Sequence, residues 1–197
     1  MAEEQNIPMT EENEDEQKEA KRESFAAAAH YFVEIFVITL CVVLFLSAFV
    51  MRHTVVDGSS MQNTLQDGQH LLISDLFYEA ERGDIVVLQS SNIDIKTPIV
   101  KRIIAVGGDR IKMENGTVFV NDQALTEKYV LDGCHLSGVL NDFPEITVSE
   151  GHVFVLGDHR DLSKDSRDKS IGEIDERCIL GKVYFCIYPL SSIGFPK

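Results

Sequence analysis

Three segments hold residue types that can do chemistry together. They are Val56-Asp57-Gly58-Ser59-Ser60-Met61, Val100-Lys101-Arg102, and the run Gly157-Asp158-His159-Arg160-Asp161-Leu162-Ser163-Lys164-Asp165-Ser166-Arg167. Lys101 lies in the apolar run IVKRIIAV at 99–106. In a strand, alternation places it on a face with Ile99, Ile103 and Ala105, and places Arg102 with Val100, Ile104 and Val106. A lysine held there loses hydration, which disfavours its charged form and lowers its pKa. A neutral amine accepts protons, so such a lysine can serve as a general base. A serine hydroxyl is a weak nucleophile until a neighbour takes its proton, and Ser60 is a serine in need of such a neighbour. His159, with the acid Asp158 beside it, offers a second base in a Ser-His-Asp arrangement. Taken singly, each segment also has a plain explanation: a strand-end lysine reaching solvent, a Gly-Ser linker, and a solvated surface loop.

The elements that must position these residues fall into three parts. Residues 1–24 carry nine acids and three bases and little apolar surface, so they read as a disordered acidic tail. Residues 25–51 read as a transmembrane anchor, because 35–51 has no charge and the alanines before it extend the run to bilayer-spanning length. A cleaved signal would have a shorter apolar region behind a short basic start. Lys18, Lys21 and Arg22 precede the span and Arg52 follows it, which orients the tail to the cytoplasm and residues 52–197 outside. Only eight residues separate Met51 from Ser60, so the serine should stand near the membrane surface.

Residues 52–197 are β-rich. Short apolar runs (QHLLIS, DIVVLQ, IVKRIIAV, TVFV, HVFVLG, CILGKVYFCIYP) alternate with turn signals. Asn115-Gly116 between RIKM and TVFV is a hairpin signal, since both residues tolerate positive φ. Residues 76–82 suggest a short helical turn, and 138–145 a surface loop. The expected fold is mainly β: an N-terminal transmembrane helix followed by an antiparallel β-sheet domain, barrel-like or sandwiched.

The net charge of −14 argues against nucleic acid as a partner. Cys41 lies in the apolar stretch. Cys134, Cys178 and Cys186 show no C-x-x-C pair or zinc spacing. They read as small apolar core residues, with one disulfide among the three left open.

Together the segments resemble type I signal peptidases, the bacterial leader peptidases of the serine-lysine class. The matching boxes are GSSMQNTL at 58–65, GDIVV at 83–87, KRIIAVGGD at 101–109 and GDHRDLSKDSR at 157–167, with the closing GKVYFCIYPLSSIGF. The resemblance covers residues from about 30 to the end and implies a signal-peptidase-type catalytic domain. It makes Ser60 the nucleophile, Lys101 the general base and Ser163 the residue that orients the lysine amine. It makes the Ser60 N–H an oxyanion donor, pairs Asp158 with Arg102 and Asp165 with Arg167 as structural supports, and demotes His159. Val56, Met61 and Val100 would line shallow apolar pockets, beside Gly58. The substrates would be secretory precursors with small residues before the cut, bound extended beside 54–58 and 98–100. The lipid bilayer is the other partner, and no metal or cofactor is implied.

Two positions depart from the family pattern. Asn63 stands where proline is common. Gly58 stands where some members carry a serine as second oxyanion donor, which leaves the Gly58 or Ser59 backbone, or a water, for that task. A self-cleaving serine-lysine protease of the repressor type shares this chemistry, but such chains are soluble. An inactive membrane-anchored relative would have no need of Ser60, Lys101 and Ser163 together.

Overall fold

The computed structural model describes residues 11–90, 95–130 and 142–196. The chain divides into two compact units, Met1–Ala48 and Phe49–Lys197.

Among the described residues, the first unit holds the helix α1 (Glu11–Phe49). Its stretch Lys21–Leu46 is long and apolar enough to cross a membrane, and no part of it is buried within the protein. Phe32, Phe36 and Phe45 are among its exposed apolar side chains. An apolar helix with no protein packed on it is suited to lipid. The helix begins at Glu11 rather than near residue 25, and so takes in much of the expected disordered tail at 1–24. That stretch is rich in Glu, Gln, Lys and Ala, which extend a helix readily once the apolar segment has nucleated it. Residues 1–10 lie outside the described residues.

Among the described residues, the second unit holds eleven antiparallel strands in two sheets. They are β1 (Arg52–Val55), β2 (His70–Ser74), β3 (Ile85–Ser90), β4 (Ile95–Val106), β5 (Arg110–Glu114), β6 (Thr117–Val120), β7 (Gln123–Ala124), β8 (Phe143–Thr147), β9 (His152–Leu156), β10 (Ile174–Asp175) and β11 (Ile179–Tyr188). The larger sheet runs β1-β2-β11-β3-β4-β9-β10 and the smaller β7-β6-β5-β8. Both faces of the large sheet are buried at β3. On β3, Ile85 and Val87 join a cluster with Val56, Met61 and Leu71, while Val86 and Leu88 join another with Ile103 and Val155. Phe154 and Leu156 of β9 pack with Ile111, Met113 and Val118 of the small sheet.

The hairpin between β5 and β6 turns at Asn115 and Gly116, with φ of 52° and 75°. Residues 76–82 are not helical: they form two tight turns, with Phe77 at φ 52° and Gly83 at φ 92°. A residue at positive φ cannot continue a right-handed helix. The expected loop at 138–145 is in part strand β8, because Met113 and Ile111 of β5 pair with Phe143 and Ile146. Residues 131–141 lie outside the described residues.

Strand β4 follows the expected alternation only through Ile103. A bulge between Ile103 and Ala105, opposite β9, inserts one residue and shifts the register. Ala105 consequently packs with Ile104, and Val106 packs with the Ile103 cluster. Cys178 and Cys186 are free thiols, and Cys186 Sγ donates to the Tyr188 carbonyl at 3.4 Å. Cys134 falls outside the described residues.

Candidate active site

Ser60 sits in a turn pinned by its neighbours. Met61 and Leu65 are buried, Gly58 takes φ 93°, and the N–H groups of Thr64 and Leu65 both donate to the Met61 carbonyl. Asn63 takes φ 91°, a value closed to proline, so this turn differs from one a proline would build. The Ser60 carbonyl accepts from the His159 N–H at 3.0 Å, tying the serine turn to the 157–167 loop.

β4 delivers the lysine. Lys101 stands opposite Val86 of β3 and is almost fully buried. Its Nζ donates to Ser60 Oγ at 2.6 Å. Burial pushes the amine down from 10.5 to about 8, against the pull of Asp165 and Asp158, which favour the charged form. The cation that adds to the depression is Arg167, from the charged loop, rather than the adjacent Arg102.

Arg102 is held by a bidentate pair with Asp158: Nε to Oδ1 at 2.9 Å and Nη2 to Oδ2 at 2.8 Å. Its Nη1 also donates to the Gly83 carbonyl, which ties in the 83–87 segment. Asp165 receives Arg167 Nε at 2.8 Å and Nη2 at 2.9 Å, and it accepts the Gly157 N–H at 3.0 Å. Buried ion pairs of this kind hold geometry more reliably than they add stability.

Ser163 Oγ is buried and makes no hydrogen bond, so the expected bond to the lysine amine is not formed here. It packs tightly beside Gly157. His159 Nδ1 is likewise buried without a partner, and it is the His159 backbone that touches the serine turn. The Gly58 N–H is committed to Asp67 Oδ1 at 2.8 Å, which removes it from the candidates for a second oxyanion donor. Val56, Met61 and Val100 are buried together in one apolar cluster. Among the described residues no group of three His, Cys, Asp or Glu side chains is placed to hold a metal.

Sequence reasoning missed four participants. Thr64 Oγ1 donates to Asp158 Oδ2 at 2.5 Å. Arg160 is fully buried and paired with Glu127, and Tyr129 lies against Arg102 with 4.0 Å from the guanidinium carbon to the ring centre. In the sequence, Arg160 is one charge among six in the 157–167 run. Glu127 and Tyr129 stand in a stretch, LTEKYV, with no periodic or motif signal.

A hydroxyl hydrogen-bonded to a buried amine of lowered pKa, on a β-sheet scaffold, has the parts of a serine hydrolase without a histidine base. Comparison with known proteins specifies the class. The model of the family "Signal peptidase, peptidase S26" matches residues 29–188. A signal peptidase I of Bacillus licheniformis is 32% identical over 173 residues, covering 82% of this chain and 90% of its own length. Signal peptidase IB of Staphylococcus aureus (strain MRSA252) is 33% identical over 171 residues, covering 78% and 87%. A crystal structure of a signal peptidase I from Enterococcus faecalis aligns at 26% identity and a TM-score of 0.44, over 53% of this chain and 97% of that one. The chain belongs to the signal peptidase family, peptidase S26, and is a peptidase.

Proposed function

We propose that this chain is a membrane-bound endopeptidase that removes N-terminal signal peptides from secreted precursors, with Ser60 as nucleophile and Lys101 as general base. The observation that carries the reading is the 2.6 Å contact between Lys101 Nζ and Ser60 Oγ, at an amine lowered to about 8. The neutral amine takes the hydroxyl proton as Oγ attacks the scissile carbonyl carbon. Collapse of the tetrahedral intermediate breaks the C–N bond, and the lysine ammonium gives its proton to the leaving amine. The signal peptide remains as an ester on Ser60. Water then attacks that ester, Lys101 again taking the proton, and the ammonium returns it to Ser60 as the acid product leaves. Ser163, whose buried hydroxyl has no other partner, accepts a hydrogen bond from the lysine amine during turnover and orients it.

The Ser60 N–H is one oxyanion donor, and Ser59 supplies the second through its N–H or its hydroxyl. The precursor binds extended, adding a strand between the open edge of β1 and the first half of β4. Val56, Met61 and Val100 limit the fit to small residues before the cut. The helix α1 anchors the enzyme with its N-terminus in the cytoplasm and residues 52–197 outside. Purified Ser60→Ala, compared with the parent on one labelled precursor, tests the reading. Folded protein with no cleavage is the expected result, and more than trace cleavage by Ser60→Ala would remove Ser60 from the nucleophile's role.

A further inference from the structure

The segment 127–129 touches both arms that bring Lys101 and Ser60 together. One arm runs through Arg160. Its guanidinium donates to Glu127 through Nη1 at 3.1 Å and Nη2 at 2.5 Å, with the arginine side chain wholly buried and the glutamate nearly so. Arg160 Nε donates in turn to the Gly157 carbonyl at 3.1 Å. Gly157 is the crowded point at which Ser163 and the Ser60 carbonyl meet. The other arm runs through Arg102. The Tyr129 ring covers its guanidinium at 4.0 Å, and Arg102 holds Asp158, which also accepts from Thr64 of the serine turn. The Tyr129 hydroxyl donates to Glu127 at 2.8 Å, closing the two arms into one network. The Tyr129 carbonyl also accepts from Asn63 Nδ2 at 3.5 Å.

We infer that Glu127 and Tyr129 are positioning residues of the peptidase reaction, a clamp that fixes the Arg102 strand and the 157–163 loop against the Ser60 turn. The inference rests on the assignment of Ser60 and Lys101 above. Neither residue touches the reacting atoms, so each acts through an arginine. Charge alone does not explain the arrangement: a buried ion pair costs desolvation that an apolar pair would avoid. What the ionic pair adds is direction, because the forked guanidinium reaches Glu127 and the Gly157 carbonyl at once. The aromatic face over Arg102 shields that cation from water on a side where Asp158 cannot.

The test uses the full-length chain in detergent micelles and one precursor. It compares kcat, KM and melting temperature for Tyr129→Phe, Tyr129→Leu and the double variant Glu127→Met with Arg160→Met, with Ser60→Ala alongside. An apolar double replacement of a buried pair usually folds. It should melt near the parent and keep KM within about 3-fold, yet lose kcat by about 10- to 100-fold, the scale of a misplaced catalytic group. Tyr129→Leu should show the same split at smaller size, and Tyr129→Phe, which keeps the ring, should restore most of the rate. A folded double variant, or a folded Tyr129→Leu, with the parent's kcat overturns the inference. If the double variant does not fold, the Tyr129 pair decides alone: a lower kcat in Tyr129→Leu that Tyr129→Phe restores supports the clamp. Cleavage by Ser60→Ala would instead overturn the assignment beneath it.

Discussion

A methyl group on Gly157 would stand 2.2 Å from Ser163 Oγ and 2.5 Å from the Ser60 carbonyl oxygen, with Ser163 Cβ at 2.4 Å. No real Cβ sits so close, and the Ser60 neighbour is backbone, so the serine turn and the 157–167 loop must separate to admit it. Gly157→Ala should therefore lose most activity together with a clear drop in melting temperature. Parental cleavage by this variant would show that the two segments need not touch. Lys101 makes a second residue-scale prediction, on stability. Its folded pKa, about 8, lies below its ordinary value of 10.5, so between these pH values the folded chain binds fewer protons than the unfolded one. Stability therefore rises with pH across that window, and the cost of burying the amine is full below about pH 8. Lys101→Met should raise stability at pH 7 by up to about 3 kcal/mol, with a smaller gain at pH 10. Thermal melts at the two pH values check it: a gain at pH 7 no larger than at pH 10 would mean the amine is not destabilised by burial.

At the scale of elements, the proposed strand addition would use β1 and the first half of β4. β1 is the first strand of the large sheet. β4 pairs with β9 only from Arg102 to Val106, so its first half, through Val100, has β3 as its one strand partner among the described residues. A precursor peptide N-methylated at alternate backbone amides before the cut should lose kcat/KM by about 10-fold or more, since each lost ladder bond leaves an acceptor unpaired. An unchanged rate would exclude strand addition. Much of this architecture was legible beforehand. The Asn115-Gly116 hairpin and the runs that became β2, β3, β6, β9 and β11 announce themselves through turn chemistry and β-branched residues. The bulge in β4 left no trace, because IVKRIIAV reads as unbroken alternation and only the partner strand reveals the extra residue. The pairing of Arg102 with Asp158 came from ordered boxes resembling a known family. The Glu127–Arg160 pair did not, since its two members are 33 residues apart and carry no pattern. The helix reached back to Glu11 because charge composition says how a segment meets water, not whether a neighbouring helix will propagate into it.

At the scale of the whole molecule, one apolar helix precedes a β-sheet unit that carries every candidate site residue. The basic residues Lys18, Lys21 and Arg22 before the span set the expected topology. Protease added to intact spheroplasts should digest residues 52–197 and spare the tail, and the reverse pattern would invert the orientation. The serine-lysine mechanism turns on whether the buried Lys101 works as a neutral base. The direct measurement is a pH–rate profile of kcat/KM on one precursor for the parent, Lys101→Arg, Lys101→Ala and His159→Asn. Only the neutral amine can take the Ser60 proton, so parental activity should rise with pH through about 8. Arginine keeps the charge but cannot release its proton in this range. Lys101→Arg should accordingly be as inactive as Lys101→Ala, while His159→Asn retains the parent's rising limb. Substantial cleavage by Lys101→Arg, or an inactive but folded His159→Asn, would contradict the serine-lysine mechanism.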